Sequence, residues 1–384
     1  MTAKGNARSD SALQETEGKT VDEILERYPL RKKEARTFFA KCIQDGFLVP
    51  ANDVMAAPQR IGVDHRFAHM PAYFPEKPAP FVLLGVPYDL ATTGHPGARF
   101  GPSQIRGSSL AAQYSVDPMQ LTPVGFADLA SGQTLLQGIE LADAGDVFIA
   151  PGEHQDPAFE RITQVVEEVL AKGAIPLIMG GDHSISYPIL RAYSRRQHAL
   201  QVLHIDAHTD LGDALPGQRL HHGNVFTMVL EDFPDVEQIV QVGLRGIYDP
   251  SVLDAPVDVE AFGMDRFRRE GITAVIDALD EELPVYVSFD IDGVDPSYAP
   301  STGTPVPFGL RPDEVKDLLR AVGEARNVIG ADIVEVAYSQ TPHDGTGVVA
   351  AESLLTLADA TVRGMRMRMR NPVKDPQKQK SEPQ

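Results

Sequence analysis

The chain has 384 residues, 42% of them hydrophobic, one cysteine and a formal net charge of -19. That length supports one large or two ordinary domains with a real core. The negative charge argues against nucleic acid or an anionic membrane as partner, since either needs a basic footprint, and agrees better with a cationic substrate.

In chain order, residues 1–19 are polar and read as disordered. Thr20 and Glu23 in "TVDE" form a capping box for a short helix that Pro29 ends, and "RKKEARTFFAKCIQDG" reads as a second helix stopped at Gly46. Phe38, Phe39, Cys42 and Ile43 read as packing residues there. Residues 47–78 are proline-rich and read as an extended connector, so 20–78 form a helical extension. From residue 79 to 370, apolar strand candidates alternate with helical stretches. The strands are "PFVLLGVPYD", "DVFIA", "AIPLIMGG", "ALQVLHID", "EQIVQVGL", "LPVYVSFDID" and "VIGADIVEV". Near-continuous apolar strands alternating with amphipathic helices predict a mostly parallel sheet covered on both faces, a three-layer α/β/α sandwich. Residues 371–384 read as a disordered tail. The chain lacks a run of about 18 apolar residues and its N-terminus lacks a secretory core, so a cytoplasmic protein is expected.

Sites in such sheets lie beyond the carboxyl ends of the strands. Polar residues collect there. "HIDAHTD" at 204–210 sets Asp206, His208 and Asp210 at i, i+2, i+4, on one face of an extended segment. "AIPLIMGGDHS" delivers His183, "LPVYVSFDID" delivers Asp290 and Asp292, and "DIVEV" delivers Glu335. Buried carboxylates without a counter-charge disfavour folding, so a metal is expected beside them. With one cysteine a thiolate cluster is excluded, and His, Asp and Glu ligands suit Mn, Ni, Zn or Mg. Four aspartates are neutralised by two divalent ions. A pair roughly 3.5–4 Å apart lowers the pKa of a shared water to about 7, which points to metal-assisted hydrolysis.

"GGDHS" at 180–184, "DAHTD" at 206–210 and "SFDIDGVDPSYAPSTGTPVP" at 288–307 resemble the three signature blocks of the ureohydrolases, the arginases, agmatinases, guanidinobutyrases and guanidine hydrolases. "HPGARFGPSQIR" at 95–106 is similar to a block of the agmatinase branch. The resemblance covers roughly 79–370, which makes that segment a ureohydrolase catalytic domain. It implies two Mn ions, or Ni as in some guanidine hydrolases, and a trimer or hexamer. It also implies a ligand set: His183, Asp206, Asp210 and Asp290 for one ion, Asp206, His208, Asp290 and Asp292 for the other. The implied chemistry is attack of a bridging hydroxide on a guanidinium carbon, giving urea and an amine or ammonia. Asp210 would relay the proton to the leaving nitrogen, Glu335 would pair with the guanidinium, and His222 in "HHGN" would assist proton transfer or contact substrate.

Other residues read as structural. Asp182 is expected to cap the following helix, His204 to stand behind the ligands or in the core, and His221 to be structural or solvent-facing. Gly180 and Gly181 permit close backbone approach. "GARFGP" lacks the ending of a phosphate loop and reads as a turn lining the cleft, and "MRMRMR" at 365–370 as a solvated segment. Departures from the agmatinase pattern at Asn224, Ser301, Phe308, Tyr338 and Thr341 concern loops expected to surround the substrate. Asn224, Phe308 and Tyr338 are expected to line it, and the bulk of Phe308 and Tyr338 favours guanidine, a small alkylated guanidine or a biguanide over a long diamine chain. The alternatives are an agmatinase or guanidinobutyrase, a mononuclear zinc amidohydrolase of the deacetylase type, and a non-catalytic subunit paired with a paralogue in a hetero-oligomer.

Overall fold

A computed structural model of the chain describes residues 60–370 apart from 77–78, 121, 197–198, 254–255 and 339–343. The helices expected within 20–46, the segments 1–19 and 371–384, and Thr341 lie outside the described residues. The chain divides into two compact units, Met1–Val63 and Asp64–Gln384. The described part of the first contains the two-residue strand β1 (Arg60–Ile61).

The second unit contains strands β2 (Phe81–Gly85), β3 (Phe126–Asp128), β4 (Gln133–Leu135), β5 (Leu141–Val147), β6 (Ile175–Met179), β7 (Leu200–Ile205), β8 (Val236–Leu244), β9 (Val259–Gly263), β10 (Val285–Asp290) and β11 (Val328–Val334). Its α-helices are α1 (Gly101–Ser109), α2 (Gln155–Ala171), α3 (Ser186–Ser194), α4 (Val225–Asp232), α5 (Met264–Ala278), α6 (Pro312–Ala325) and α7 (Thr346–Arg370). Strands β3 and β4 form a separate antiparallel pair. The others pair side by side in the order β5-β2-β6-β11-β10-β7-β8-β9, every pairing parallel.

Alternation of side chains along each strand builds two cores. Leu177, Met179, Leu203, Ile205, Val285, Val287, Phe289, Ala331 and Ile333 face Ile105 of α1, Phe267 of α5, Leu318 of α6 and Leu354 of α7. Ile178, Val202, Tyr286 and Val334 face Ile162 of α2, Ile189 of α3 and Phe226 of α4. Helices thus cover both faces, which is the expected α/β/α sandwich. Their buried stripes follow helical spacing: α2 buries Ile162, Val165, Val166 and Val169, and α6 buries Val315, Leu318, Leu319 and Val322.

The elements depart from expectation in several places. The strand expected from "DVFIA" runs instead over Leu141–Val147, where Asp143 and Asp146 break the apolar pattern. Those acids are accommodated because Arg106 of α1 binds both, with Nε 2.8 Å from Asp143 Oδ2 and Nη1 2.5 Å from Asp146 Oδ1. "GARFGP" is a short turn that continues into α1, with Pro102 in the first helical turn, where its missing N–H costs nothing. Strand β9 follows β8 at the edge of the sheet and has only Phe262 buried, which explains its weak sequence signal. Within the stretch expected to be connector, Phe67, Ala68 and Met70 are core residues. The "MRMRMR" segment is the end of α7, with Met369 exposed. Among the described residues no helix is long and apolar enough to cross a membrane.

Candidate metal centre

The sheet register brings the candidate ligands together. Met179 is level with Ile333 on adjacent strands, Val334 with Asp290, and Phe289 with Ile205. Strands β6, β11, β10 and β7 therefore end side by side, and the residues just beyond them share one rim. The backbone has to pack tightly there. A Cβ on Gly181 would lie 1.7 Å from the Tyr88 carbonyl oxygen, and one on Gly180 2.6 Å from Val334 Cγ1. Asp210 and Glu335 are themselves in the left-handed region, with φ of 51° and 59°. Non-glycine residues rarely occupy it, and such positions cluster at functional sites.

His183 is fully buried, and its Nδ1 lies 3.1 Å from Asp206, 3.0 Å from Asp210 and 3.3 Å from Asp290. A second cluster adjoins it through Asp206: His208 Nδ1 is 3.4 Å from Asp206 Oδ1 and 3.1 Å from Asp292 Oδ2. Ligand atoms of His183, His204, Asp206 and Asp210 lie within 4.8 Å of one another, as do those of Asp206, His208 and Asp292. All six residues expected as ligands are thus gathered at one place.

The electrostatics favour a cation among these groups. Burial and the neighbouring Asp292 and Asp206 carboxylates push the Asp290 carboxyl well above its ordinary range. Burial and Asp206 push Asp292 up to about 6. Burial opposes charge on the histidines, yet the surrounding carboxylates hold His183 well above its usual range and His208 at about 12. Carboxylates that compete for protons in this way are what a bound divalent cation relieves. His183 Nδ1 gives the test of fit. It is buried, aimed at three carboxylate oxygens, and makes no hydrogen bond. Its other nitrogen explains why. Ser288 Oγ donates to Asp332 Oδ1 at 2.8 Å, so it accepts from His183 Nε2–H at 3.0 Å. The Nδ1 lone pair is then turned into the carboxylate cluster, and the donor set fits a metal ion.

Supporting residues that sequence reasoning missed become visible here. Asp332 accepts from Ser288, Ser186 and Tyr286, each at 2.8 Å, and is fully buried. Gln241 Nε2 donates to the Thr209 carbonyl at 2.7 Å, which orients its amide so that the same nitrogen donates to His204 Nδ1 at 2.9 Å. His204 Nε2–H is left to donate to Asp206 Oδ2 at 2.7 Å. His204 therefore stands behind Asp206 as a hydrogen-bond donor, in keeping with its expected supporting role. Ser288 shares the i, i+2 face of Asp290 and Asp292, a signal that could have pointed to it. Gln241 and Asp332 come from other strands, and no local pattern marks them.

Around Glu335 the hydrogen bonds are directional. Glu335 Oε1 accepts from the His183 N–H and from His222 Nδ1, both at 2.9 Å. Thr93 N–H donates to His222 Nε2 at 2.9 Å, so the ring is an acceptor there and carries its proton on Nδ1. Burial opposes charge on His222 while Glu335 pushes its pKa up to about 9; the Thr93 N–H on Nε2 opposes that second proton. Nδ1 is thereby engaged with Glu335 and Nε2 with Thr93, so His222 orients Glu335. Glu335 Oε2 is buried and has no hydrogen-bond partner.

The substrate-lining expectations fare unequally. Asn224 is fully buried, with Oδ1 accepting from the His221 N–H and Nδ2 donating to the Arg219 carbonyl, both at 2.8 Å. Its amide holds the turn before α4 and does not face the cluster. His221 is structural: its ring accepts from the Gly223 N–H at 3.1 Å. Asp182 caps the turn at 183–185, accepting from the Ser184 and Ala91 N–H groups. Phe308 and Tyr338 are exposed, and Tyr338 packs edge-on against Phe100, with ring centroids 6.0 Å apart. Other rings pack against the cluster histidines: Phe226 lies with its centroid 5.4 Å from that of His183 and 4.3 Å from that of His204, and Tyr248 with its centroid 6.1 Å from that of His208.

A parallel α/β/α sandwich with an acid and histidine cluster beyond the carboxyl edge of its central strands has the arrangement of an α/β protein with a metal-binding site. The arginase family model matches residues 79–358. The human mitochondrial guanidino acid hydrolase is 34% identical over 282 residues, covering 72% of this chain and 76% of that protein. The mitochondrial agmatinase of Gallus gallus is 34% identical, with coverage of 72% and 79%. The solved structure of proclavaminate amidino hydrolase from Streptomyces clavuligerus superposes with a TM-score of 0.68 at 32% identity, covering 80% of this chain and 99% of that one. The chain belongs to the arginase family, in its agmatinase-like branch, and is a hydrolase of amidino C–N bonds.

Proposed function

We propose that the protein hydrolyses guanidine or a small alkylated guanidine to urea and ammonia or an amine, or a biguanide either to urea and a guanidine or to a guanylurea and ammonia or an amine. In this reading two divalent ions, Mn or Ni, are held by His183, Asp206, Asp210 and Asp290 and by Asp206, His208, Asp290 and Asp292. Bound there, they would lower the pKa of a shared water toward about 7 and supply hydroxide at neutral pH. The observation that carries the substrate class is Glu335 Oε2, a buried carboxylate oxygen without a partner beside the cluster. A planar cation with several N–H donors satisfies it. His222 and the His183 N–H fix Oε1, so Glu335 meets the guanidinium already oriented. Asp210 takes the proton of the attacking water and delivers it to the nitrogen that leaves. The water oxygen joins the carbon, the C–N bond breaks, and urea departs with ammonium or an alkylammonium ion. Phe308 and Tyr338 restrict the outer pocket. The reading also includes a cytoplasmic trimer or hexamer, with a paralogous subunit as the alternative arrangement.

The test is urea release by metal-free protein reloaded separately with Mn and Ni, on guanidine, methylated guanidines, a biguanide, 4-guanidinobutyrate, agmatine and arginine. The expected result is release from short guanidines that Asp210→Asn abolishes. Agmatine turned over far faster than short guanidines would overturn the substrate class in favour of the agmatinase reading. No urea from any of them, with two ions bound, would favour the partner-subunit reading.

A further inference from the structure

The cluster is closed on one side and open on another. The His183 side chain is completely buried, whereas that of His208 is 24% exposed. His208 thus marks the more open side of the cluster, and the residue packed against it there is Tyr248. The two rings meet edge to face at 64°. Three local features hold Tyr248 in that place. The Arg245 N–H donates to the Ala207 carbonyl, next to His208, at 3.0 Å. The Arg245 guanidinium donates to the carbonyls of Asp292 at 2.6 Å, Gly293 at 3.0 Å and Val306 at 2.7 Å. The base of the loop is thus tied to both segments that carry the second cluster. Gly246, at φ 105°, then lets the ring fold back: a Cβ there would lie 2.5 Å from Tyr248 Cε2 and 2.8 Å from its hydroxyl oxygen.

We infer that Tyr248 is a specificity-determining residue, whose half-exposed ring forms the wall against which an apolar N-alkyl substituent of the guanidine packs. This rests on the guanidine-hydrolase reading. The aromatic face suits a small alkylated cation, which gains both apolar contact and attraction to the ring. It offers an aliphatic substituent more apolar contact than it offers a terminal carboxylate.

The experiment compares N,N-dimethylguanidine with guanidine in metal-loaded, full-length protein. Wild type, Tyr248→Phe, Tyr248→Ala and Gly246→Ala are assayed for kcat/KM on both. The Kd of both compounds is measured by calorimetry in the Asp210→Asn background with and without Tyr248→Ala. Tyr248→Ala is expected to lower the dimethylguanidine-to-guanidine ratio about tenfold, through KM and Kd more than kcat, the scale of a lost apolar contact. Tyr248→Phe keeps the ratio. Gly246→Ala, which displaces the ring without deleting it, lowers it too and reads the same effect if Tyr248→Ala fails to fold. Active wild type with an unaltered ratio in Tyr248→Ala and Gly246→Ala overturns the inference and leaves the hydrolase reading intact. No turnover of any guanidine by wild type overturns that reading and this inference with it.

Discussion

At strand β5, buried Asp143 and partly buried Asp146 pair with Arg106, while at the ends of β7 and β10, Asp206, Asp290 and Asp292 are buried with no arginine or lysine bonded to their carboxylates among the described residues. The Arg106 fork also reaches the Gly145 carbonyl at 3.0 Å, and Asp143 accepts further from the Phe67 N–H at 2.8 Å. That region carries its own counter-charge and is complete as it stands. The strand-end cluster has histidines instead, one of them with an unbonded nitrogen at its centre. A fold that provides a guanidinium for one set of acids and none for another distinguishes a structural ion pair from a cluster suited to a metal ion.

The largest effect expected from that difference is on catalysis. Asp210→Asn should lower kcat for urea release by about 10²–10⁴-fold, the range for a lost proton-transfer group, with the fold kept by circular dichroism. An ordinary rate in this variant would remove Asp210 from the chemistry.

Stability separates the two regions next. Arg106→Met leaves buried Asp143 and partly buried Asp146 unpaired and should cost about 3–5 kcal/mol in urea denaturation, with or without metal. Asp290→Asn, assayed in chelator-treated protein, should be near neutral or stabilising, because it relieves the crowding of Asp290 against the Asp292 and Asp206 carboxylates. Adding Mn or Ni to about 100 times Kd should stabilise the wild type by about 2.7 kcal/mol and Asp290→Asn by less. Equal costs for the two substitutions in metal-free protein would erase the distinction.

A smaller effect tests the support behind the cluster. Ser288→Ala breaks the link from Asp332 to His183 Nε2 and should weaken metal binding about 10–100-fold, measured by competition with a chromophoric chelator. Unchanged affinity would mean that packing alone orients the His183 ring.

The smallest effect concerns an ion pair near the surface. Asp128 accepts from Arg320 at 2.9 Å and Lys316 at 3.3 Å, and a hydrogen bond from Ser131, with the Ala130 N–H and Lys316, holds its carboxyl down to about 2. Because its folded pKa lies below the unfolded value, its stabilisation is complete above about pH 4 and is lost as pH falls through 2. Asp128→Asn should cost less than about 1 kcal/mol at pH 7, and the difference from wild type should fade toward pH 2 in acid-denaturation curves. A larger loss than for Arg106→Met would contradict the ranking by burial.

Much was legible because it was local. Apolar strands, the i, i+2 and i, i+4 spacing of Asp206, His208, Asp210, Asp290 and Asp292, and the strand-end positions of His183 and Glu335 all lie within short stretches. Alternation along a strand makes such spacing a statement about faces. What misled was equally local: the polar residues around Asp143 shifted the expected strand from Leu141–Val147 to "DVFIA", and the departure of Asn224 from the agmatinase pattern pointed to the pocket.

The sequence by itself determined the fold class, the six residues that converge and the chemistry their side chains can support, because each depends on residue type and short-range periodicity. Only the tertiary structure decided which hydrogen bonds those groups make. Gln241 behind His204, Asp332 and Ser288 behind His183, Thr93 on His222 and Tyr248 beside His208 come from separate elements brought together by sheet register and loop packing. Hydrogen-bond direction is set by the distant partner, so no local pattern in the chain can state it.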